Sequence, residues 1–247
     1  MRAGLVIYGS LATLSGGYLY DRMLVKALVA DGWEVEIFSI PWRGYAKHAG
    51  DNFNASWYKR LRNAPVDVLI QDELNHPSLV GINRRLRGRV SYRIVSLVHH
   101  LRCSEEHPAP LRVFYRWVER HYLNGVDAII ANSQTTLASV NALLARPKPT
   151  LVAYPAADHL PAAHARITHN EGPLRILFVG NLIPRKGLHT LLDGLARVDQ
   201  GLWRLTVVGR QDVDYGYTKR IAAQIAALAV SSSVHLLGRV DDETLAA

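Results

Sequence analysis

The chain has 247 residues, 49% of them apolar, and carries a formal net charge of +8 with a pI near 9.7. That length suits two modest α/β domains or one large one, and the apolar fraction excludes a disordered chain. The positive balance favours acidic partners such as nucleotide phosphates or anionic lipid. Nucleic acid is not expected, because no zinc-ligand spacing and no aromatic-basic strand motif accompanies the charge. The single Cys103 excludes an intramolecular disulfide and points to a reducing compartment. No apolar run approaches the roughly 20 residues that span a bilayer. The expected location is cytoplasmic, including the cytoplasmic face of a membrane.

In chain order, the first residues have too short an apolar core for a signal peptide and run into a glycine-containing loop, so Leu5 to Tyr8 reads as a strand. A small-residue loop from Gly9 to Gly17 opens a helix from Tyr18 to Ala30, which Asp31-Gly32 ends. Glu34 to Ile40 is a second strand closed by Pro41. Residues 42–64 are irregular apart from a short helix at Trp57 to Leu61. Pro65 to Ile70 forms a third strand, with Gln71, Asp72 and Glu73 at its carboxyl end. A helix from Ser78 to Leu86 leads to a fourth strand, Tyr92 to Val98, ending at His99-His100. Pro110 to Leu123 is an amphipathic helix with Leu111, Phe114, Tyr115, Val118 and Tyr122 at core spacing. A strand at Asp127 to Ala131, a helix capped by Ser133 and running to Leu144, and a strand at Thr150 to Tyr154 complete an acceptor-side domain over 1–155. Alternation of strand and helix predicts a parallel sheet covered on both faces.

Pro155 to Pro173 lacks periodicity, and 156–173 reads as a linker. From 174 to 247 the pattern resumes: strand Leu174 to Val179, helix Leu188 to Val198, strand Trp203 to Val208, helix Thr218 to Ala229, strand Val234 to Leu237, and a helix starting at Asp241. Five of the six residues from Leu174 to Val179 are apolar, as in a strand buried on both faces. The following loop, Gly180-Asn181-Leu182-Ile183-Pro184-Arg185-Lys186-Gly187, sets two cations before a helix N-terminus, an arrangement suited to a phosphate or pyrophosphate. An ordinary strand-loop-helix connection with solvated cations is the alternative.

The run Phe178 to Gly187 followed by Leu191-Leu192 resembles the donor loop of the family-four glycosyltransferases of the GT-B fold, which are retaining enzymes using nucleotide-sugar donors. The resemblance implies two Rossmann-like doubly wound parallel-sheet domains, the second of them incomplete here. It implies that Lys186 pairs with the donor diphosphate and that Arg185, Asn181, Gly16 and Gly17 belong to the same diphosphate site, with Arg185 supplying the charge missing at Asn181, which stands where the family commonly has arginine. Gly16-Gly17 looks like the family's glycine pair after the first strand, where bare backbone approaches the donor. His99 sits where the family often has a histidine at the end of the fourth strand, which implies a hydrogen bond to the transferred sugar or help in orienting the acceptor; it is taken as the catalytic candidate, against a satisfied structural histidine. Asp72, Glu73 and His100 are candidate acceptor contacts, Asp72 and Glu73 alternatively an acid/base pair, although a solvated strand end is the preferred reading of those two.

No nucleophile, metal or cofactor is expected; the nucleotide sugar is a substrate and a glycan or lipid-linked molecule the acceptor. Trp57 to Arg62 mixes aromatics with cations as an interfacial segment does, which makes peripheral membrane contact a further expectation, against an exposed basic turn. The family's Glu-rich donor motif does not occur in the sequence, so a fragment or truncated product is expected. The competing functions are a nucleotide-sugar-binding module without turnover and a sugar-nucleotide epimerase of the same fold. A dinucleotide dehydrogenase and a P-loop NTPase are excluded by the absence of their glycine signatures.

Overall fold

The computed structural model describes residues 1–156 and 172–246, in two compact units, Met1–Ala156 and Ala157–Ala247. Most of the expected 156–173 linker lies outside the described residues.

The first unit runs β1 (Arg2–Tyr8), α1 (Gly16–Ala30), β2 (Glu34–Ile40), α2 (Tyr45–Ala49), α3 (Ala55–Arg62), β3 (Val68–Asp72), α4 (His76–Leu86), β4 (Arg93–Val98), α5 (Ala109–Gly125), β5 (Ala128–Ala131), α6 (Gln134–Asn141) and β6 (Thr150–Val152). All six strands are parallel, in the order β2-β1-β3-β4-β5-β6. Alternate β1 residues serve two cores: Val6 and Tyr8 pack with Leu69, Leu79, Ile82 and Tyr122, while Leu5 and Ile7 pack with Tyr18, Ile70 and Leu97. A central strand buried on both faces needs apolar residues at successive positions, and β1 has them from Ala3 to Tyr8, with only Arg2 exposed. The strand order reverses between β1 and β3, and open α/β sheets bind ligands outside the carboxyl ends of strands at such a switch.

The second unit comprises β7 (Leu174–Val179), α7 (Leu188–Leu195), β8 (Trp203–Val208), α8 (Tyr215–Ala227), β9 (Val234–Gly238) and α9 (Asp242–Ala246), with a parallel sheet β7-β8-β9. Its core joins Leu188 and Leu192 of α7, Tyr217 and Ile221 of α8, and Trp203, Leu205 and Val207 of β8.

Four expectations are corrected. β7 is not buried on both faces. It is an edge strand, and only Ile176 and Phe178 pack on the helix-covered core, leaving Leu174, Leu177 and Val179 exposed. β3 begins at Val68 and runs through Asp72, because the Asp67 carboxylate takes the Arg2 backbone N–H and the ladder to β1 starts one residue later. That shift carries Gln71 and Asp72 into the sheet, so the strand end is buried rather than solvated. On α5 the core positions are Tyr115, Val118, Tyr122 and Leu123; Leu111 and Phe114 are exposed. Lastly, the exposed basic turn offered for Trp57 to Arg62 gives way to the short helix also expected there: the segment is most of α3, with Lys59, Arg60 and Arg62 exposed, Leu61 buried and the Trp57 ring edge-on to Phe38 at 6.5 Å.

Candidate active site

The carboxyl ends of β3 and β4 and the helix that follows β1 supply one group of polar side chains. After β1 the chain loops to Ser15, whose hydroxyl caps α1 by accepting from the Tyr18 N–H at 3.3 Å. Gly16 and Gly17 form the first turn of that helix. A β-carbon on Gly17 would lie 3.4 Å from Cδ2 of His99, so the missing side chain lets the imidazole lie against the helix. Gly16 faces open space.

His99, just beyond β4, points toward α1, and its Nε2 is 3.0 Å from Oδ1 of the fully buried Asp21. Tyr20 stands edge-on to the ring at 5.0 Å, and Asn132 donates to the His99 carbonyl at 2.9 Å. Asp72, at the end of β3, completes the group: ligand atoms of Asp21, Asp72 and His99 lie within 4.8 Å of one another. His100 turns the other way, its Nε2 3.6 Å from the Glu105 carboxylate.

Burial and then the Asp21 charge push the Asp72 carboxyl up to about 7. For His99, burial disfavours the charged ring, but the Asp21 hydrogen bond and the surrounding carboxylates outweigh it and hold the pKa above the ordinary histidine value. This trio can therefore share and move a proton near neutral pH, with Asp21 fixing the ring. It also has the donor set of a divalent-cation site, although the direct Asp21 to His99 hydrogen bond accounts for the geometry. Asp21→Asn is expected to lower the His99 titration midpoint, read from its imidazole resonances; a midpoint unchanged from wild type would remove the positioning role of Asp21.

Glu73 does not join this group. It opens a short turn and is buried with His76 and Glu119 in a second cluster whose ligand atoms also lie within 4.8 Å. His76 Nδ1 faces the Glu73 carbonyl at 2.9 Å and Nε2 faces the Tyr45 hydroxyl at 2.8 Å, consistent with a neutral ring that donates from Nδ1 and accepts at Nε2. The Glu119 carboxylate takes the backbone N–H groups of Arg102 and Cys103, at 2.5 and 3.1 Å. It thereby ties α5 to the loop that follows His99. Burial raises Glu73 to about 8 and Glu119 to about 7, and depresses His76 to about 4.

A carboxyl whose pKa is raised by folding stabilises the fold below its unfolded pKa, and that contribution is lost as pH rises through the folded value. Asp72, Glu73 and Glu119 all have this sign. His76 has the opposite sign, its contribution being lost only as pH falls from about 6.5 toward 4. Stability is thus expected to fall between pH 6.5 and 8, by up to about 1.4 kcal/mol per pH unit for each proton released. Glu73→Gln, which stays neutral, is expected to flatten that decline in urea unfolding. The same slope in the variant would refute the assignment.

In the second unit the loops after β7 and β8 meet. Pro184 to Lys186 make a single 3-10 turn, and Arg185 and Lys186 are exposed on it. The Lys186 stem lies across Gly180, its Cδ 3.4 Å from where a β-carbon would stand. Asn181 is used structurally, since its side-chain oxygen accepts from the Arg210 N–H at 3.2 Å and pins the loop after β8. Arg210, which forms a bidentate pair with Asp212 at 2.9 Å, adds a third cation to this end of the sheet. Sequence reasoning overlooked Asp21, Glu119 and Arg210. Asp21 had a usable signal, lying four residues from Gly17 and so on the same face of α1.

Residues 20–159 match the family model described as Glycosyltransferase Family 4, and residues 161–247 match the one described as Glycosyl transferases group 1. The D-rhamnosyltransferase WbpZ of Pseudomonas aeruginosa is 36% identical over 135 residues, which are 52% of this chain and 33% of that protein. The chain thus spans about a third of the length of the curated relative it matches. Among solved structures, the lipopolysaccharide outer core galactosyltransferase WaaB in its apo form aligns with a TM-score of 0.65 at 15% identity, over 99% of this chain and 70% of that one. Anabaena HepE in complex with UDP-glucose aligns with a TM-score of 0.65 at 18% identity, over 98% and 70%. At those identities the structures speak for the fold, two Rossmann-like units of the GT-B type. With the family model covering more than half of its length, the chain belongs to glycosyltransferase family 4.

Proposed function

We propose that this chain provides acceptor and donor-diphosphate groups of an enzyme that transfers a sugar from a nucleotide-sugar donor to an acceptor hydroxyl with retention, in glycan, glycolipid or cell-envelope assembly. The observation that carries the reading is the Lys186 stem laid across Gly180, just past the end of β7, on a lysine that forms no salt bridge among the described residues. The solved HepE complex with UDP-glucose and the relative named as a rhamnosyltransferase support the donor and reaction class.

In this reading Lys186 and Arg185 hold the diphosphate and stabilise its departure, while the glycine turn at Gly16-Gly17 offers backbone N–H groups to the donor. His99, oriented by Asp21, hydrogen-bonds the transferred sugar, and Asp72 receives the acceptor hydroxyl. The bond from the anomeric carbon to phosphate oxygen breaks, the bond to the acceptor oxygen forms on the same face, and the acceptor proton leaves with the diphosphate. Neither a nucleophile nor a cofactor is required. Asn181 and Glu73 have structural duties, and His100 is left to the loop carrying Glu105.

The test is product analysis with a panel of nucleotide sugars, each with and without glycan and lipid-linked acceptors. Glycoside of retained configuration, formed only when acceptor is present, is the expected result. Conversion of donor alone would make the chain an epimerase, and donor binding without turnover would make it a binding module.

A further inference from the structure

Asp72 ends β3 and His99 lies just beyond β4, and the proton-sharing group needs the two at a fixed spacing. The β3-β4 ladder ends with Asp72 opposite Leu97, so His99 lies past its hold. Asn132 holds the His99 carbonyl from the β5 side. Towards β3 the connection runs through one side chain of α5. The Glu119 carboxylate, fully buried, accepts the backbone N–H groups of Arg102 and Cys103, three and four residues past His99, at 2.5 and 3.1 Å. It also shares a hydrogen bond with the carboxyl of Glu73, the residue next to Asp72. Two backbone donors and the Cys103 thiol point at Glu119, which makes Glu119 the anion of the pair and Glu73 the acid. Each segment has a second anchor. His76 Nδ1 is 2.9 Å from the Glu73 carbonyl, and the Arg102 guanidinium lies 5.2 and 4.7 Å from the ring centroids of Tyr45 and Tyr115.

We infer that Glu119 is a positioning residue: with Glu73 it braces the chain leaving β3 against the chain leaving β4, and so sets the distance between Asp72 and His99. For stability alone the pair is a poor choice, because apolar side chains of similar volume usually hold a core at least as well as buried ionic groups. What the pair adds is direction, with donors from two segments converging on one carboxylate. Asp21 and Glu119 thus act on different coordinates. Asp21 orients the His99 ring from α1, and Glu119 fixes where the backbone carrying that ring stands relative to Asp72. The service of this spacing to sugar transfer rests on the reading above, whereas the spacing itself is a property of the chain without substrate.

The Asp72 charge raises the proton affinity of His99, so the effect of Asp72→Asn on the His99 imidazole titration reports how close the two groups stand. In the otherwise wild-type chain, Asp72→Asn is expected to lower that affinity by up to about tenfold. In a Glu119→Gln background, where an amide N–H is set against one of the two backbone N–H groups, the same change should lower it by no more than about threefold. Comparing the two effects removes any direct action of Glu119 on the ring. Glu73→Ala should weaken the coupling as Glu119→Gln does. Glu73→Gln should keep it, since the amide N–H replaces the acid proton toward Glu119. Urea unfolding separates this from a general loosening of α5, which would lower the unfolding midpoint and leave the Asp72 to His99 coupling at its wild-type value. That value in both Glu119→Gln and Glu73→Ala would overturn the inference. If Glu119→Gln does not fold, the variants at 73 decide, and equal coupling in Glu73→Ala and Glu73→Gln overturns it. A chain that transfers no sugar gives the same titrations, so the two readings fail separately.

Discussion

Alanine in place of Gly209 is expected to unfold the second unit. Its β-carbon would stand 2.0 Å from the Gly180 carbonyl oxygen and 2.4 Å from the carbonyl carbon, and Gly209 has a φ of +153° that other residues rarely adopt. The obstacle is backbone, so no side chain can swing away. Nor can the backbone shift alone, because the Gly180 N–H bonds the Val208 carbonyl at 2.8 Å, Leu182 bonds Arg210 at 2.9 Å, and Gly209 bonds Gly238 at 2.8 Å. Those bonds stitch the carboxyl ends of β7, β8 and β9 together, and relief of the clash would break them. A loss of about 4 kcal/mol or more is expected, at the severe end for a single substitution and comparable with the whole stability of a small domain. Trp203, buried and the one tryptophan after residue 156, reports the result by fluorescence during urea unfolding. Gly194→Ala in α7, where a β-carbon meets nothing within 4 Å, is the control and should stabilise by about 0.5 to 1 kcal/mol. A Gly209→Ala chain as stable as wild type would mean that the loops after β7 and β8 do not meet.

What could be read in the sequence follows from how local each signal is. β1 and β4 were legible because buried parallel strands are largely apolar runs, the edge strand β2 was legible from its alternation and the closing Pro41, and α1 was legible from its glycine turn and Asp31-Gly32 stop. The pair Lys186-Gly187 stood out for the same reason: cation, turn and apolar helix are adjacent in the chain. Asp72 and His99 were named as candidates, but Asp21 and the joining of the three were not legible, because the cluster is assembled from separate elements. Asp21 comes from α1, Asp72 from β3 and His99 from the end of β4, brought together only by the parallel order β1-β3-β4. Glu73 and Glu119, 46 positions apart in the chain, share one buried site for the same reason. The outward placing of Leu111 and Phe114 on α5 was hidden by a different ambiguity, since a helix with apolar residues on two sides satisfies the core pattern whichever side faces in. Asn181 illustrates a third case. Its place in the motif suggested a ligand contact, yet its amide holds the neighbouring loop, a duty that depends on β8 ending beside it.

Lys186→Ala is expected to cost roughly tenfold to a hundredfold in affinity for a nucleoside diphosphate, the range of a charge-assisted hydrogen bond. Two contributions have to be separated, because the lysine stem also packs on Gly180. Methionine keeps the stem and removes the ammonium, so Lys186→Met should bind as weakly as the alanine variant if charge is the cause and like wild type if packing is. Arginine at 186 should recover part of the loss, its planar fork reaching phosphate from a longer stem. Gly180→Ala provides an orthogonal disturbance: the new methyl would sit 3.4 Å from Lys186 Cδ and tilt the stem without altering charge, and an intermediate loss is expected. Arg185→Ala should cost less than Lys186→Ala, as only the lysine is braced by Gly180. Calorimetric titration of the chain and its variants with UDP and with GDP, repeated at raised salt, reads all of these. Affinity should weaken with salt in wild type and weaken less in Lys186→Ala and Lys186→Met, because one of the two cations whose pairing salt screens is then gone. Equal affinities across the series would take Lys186 out of the donor site and leave the glycine turn at Gly16-Gly17 as the remaining place for a phosphate.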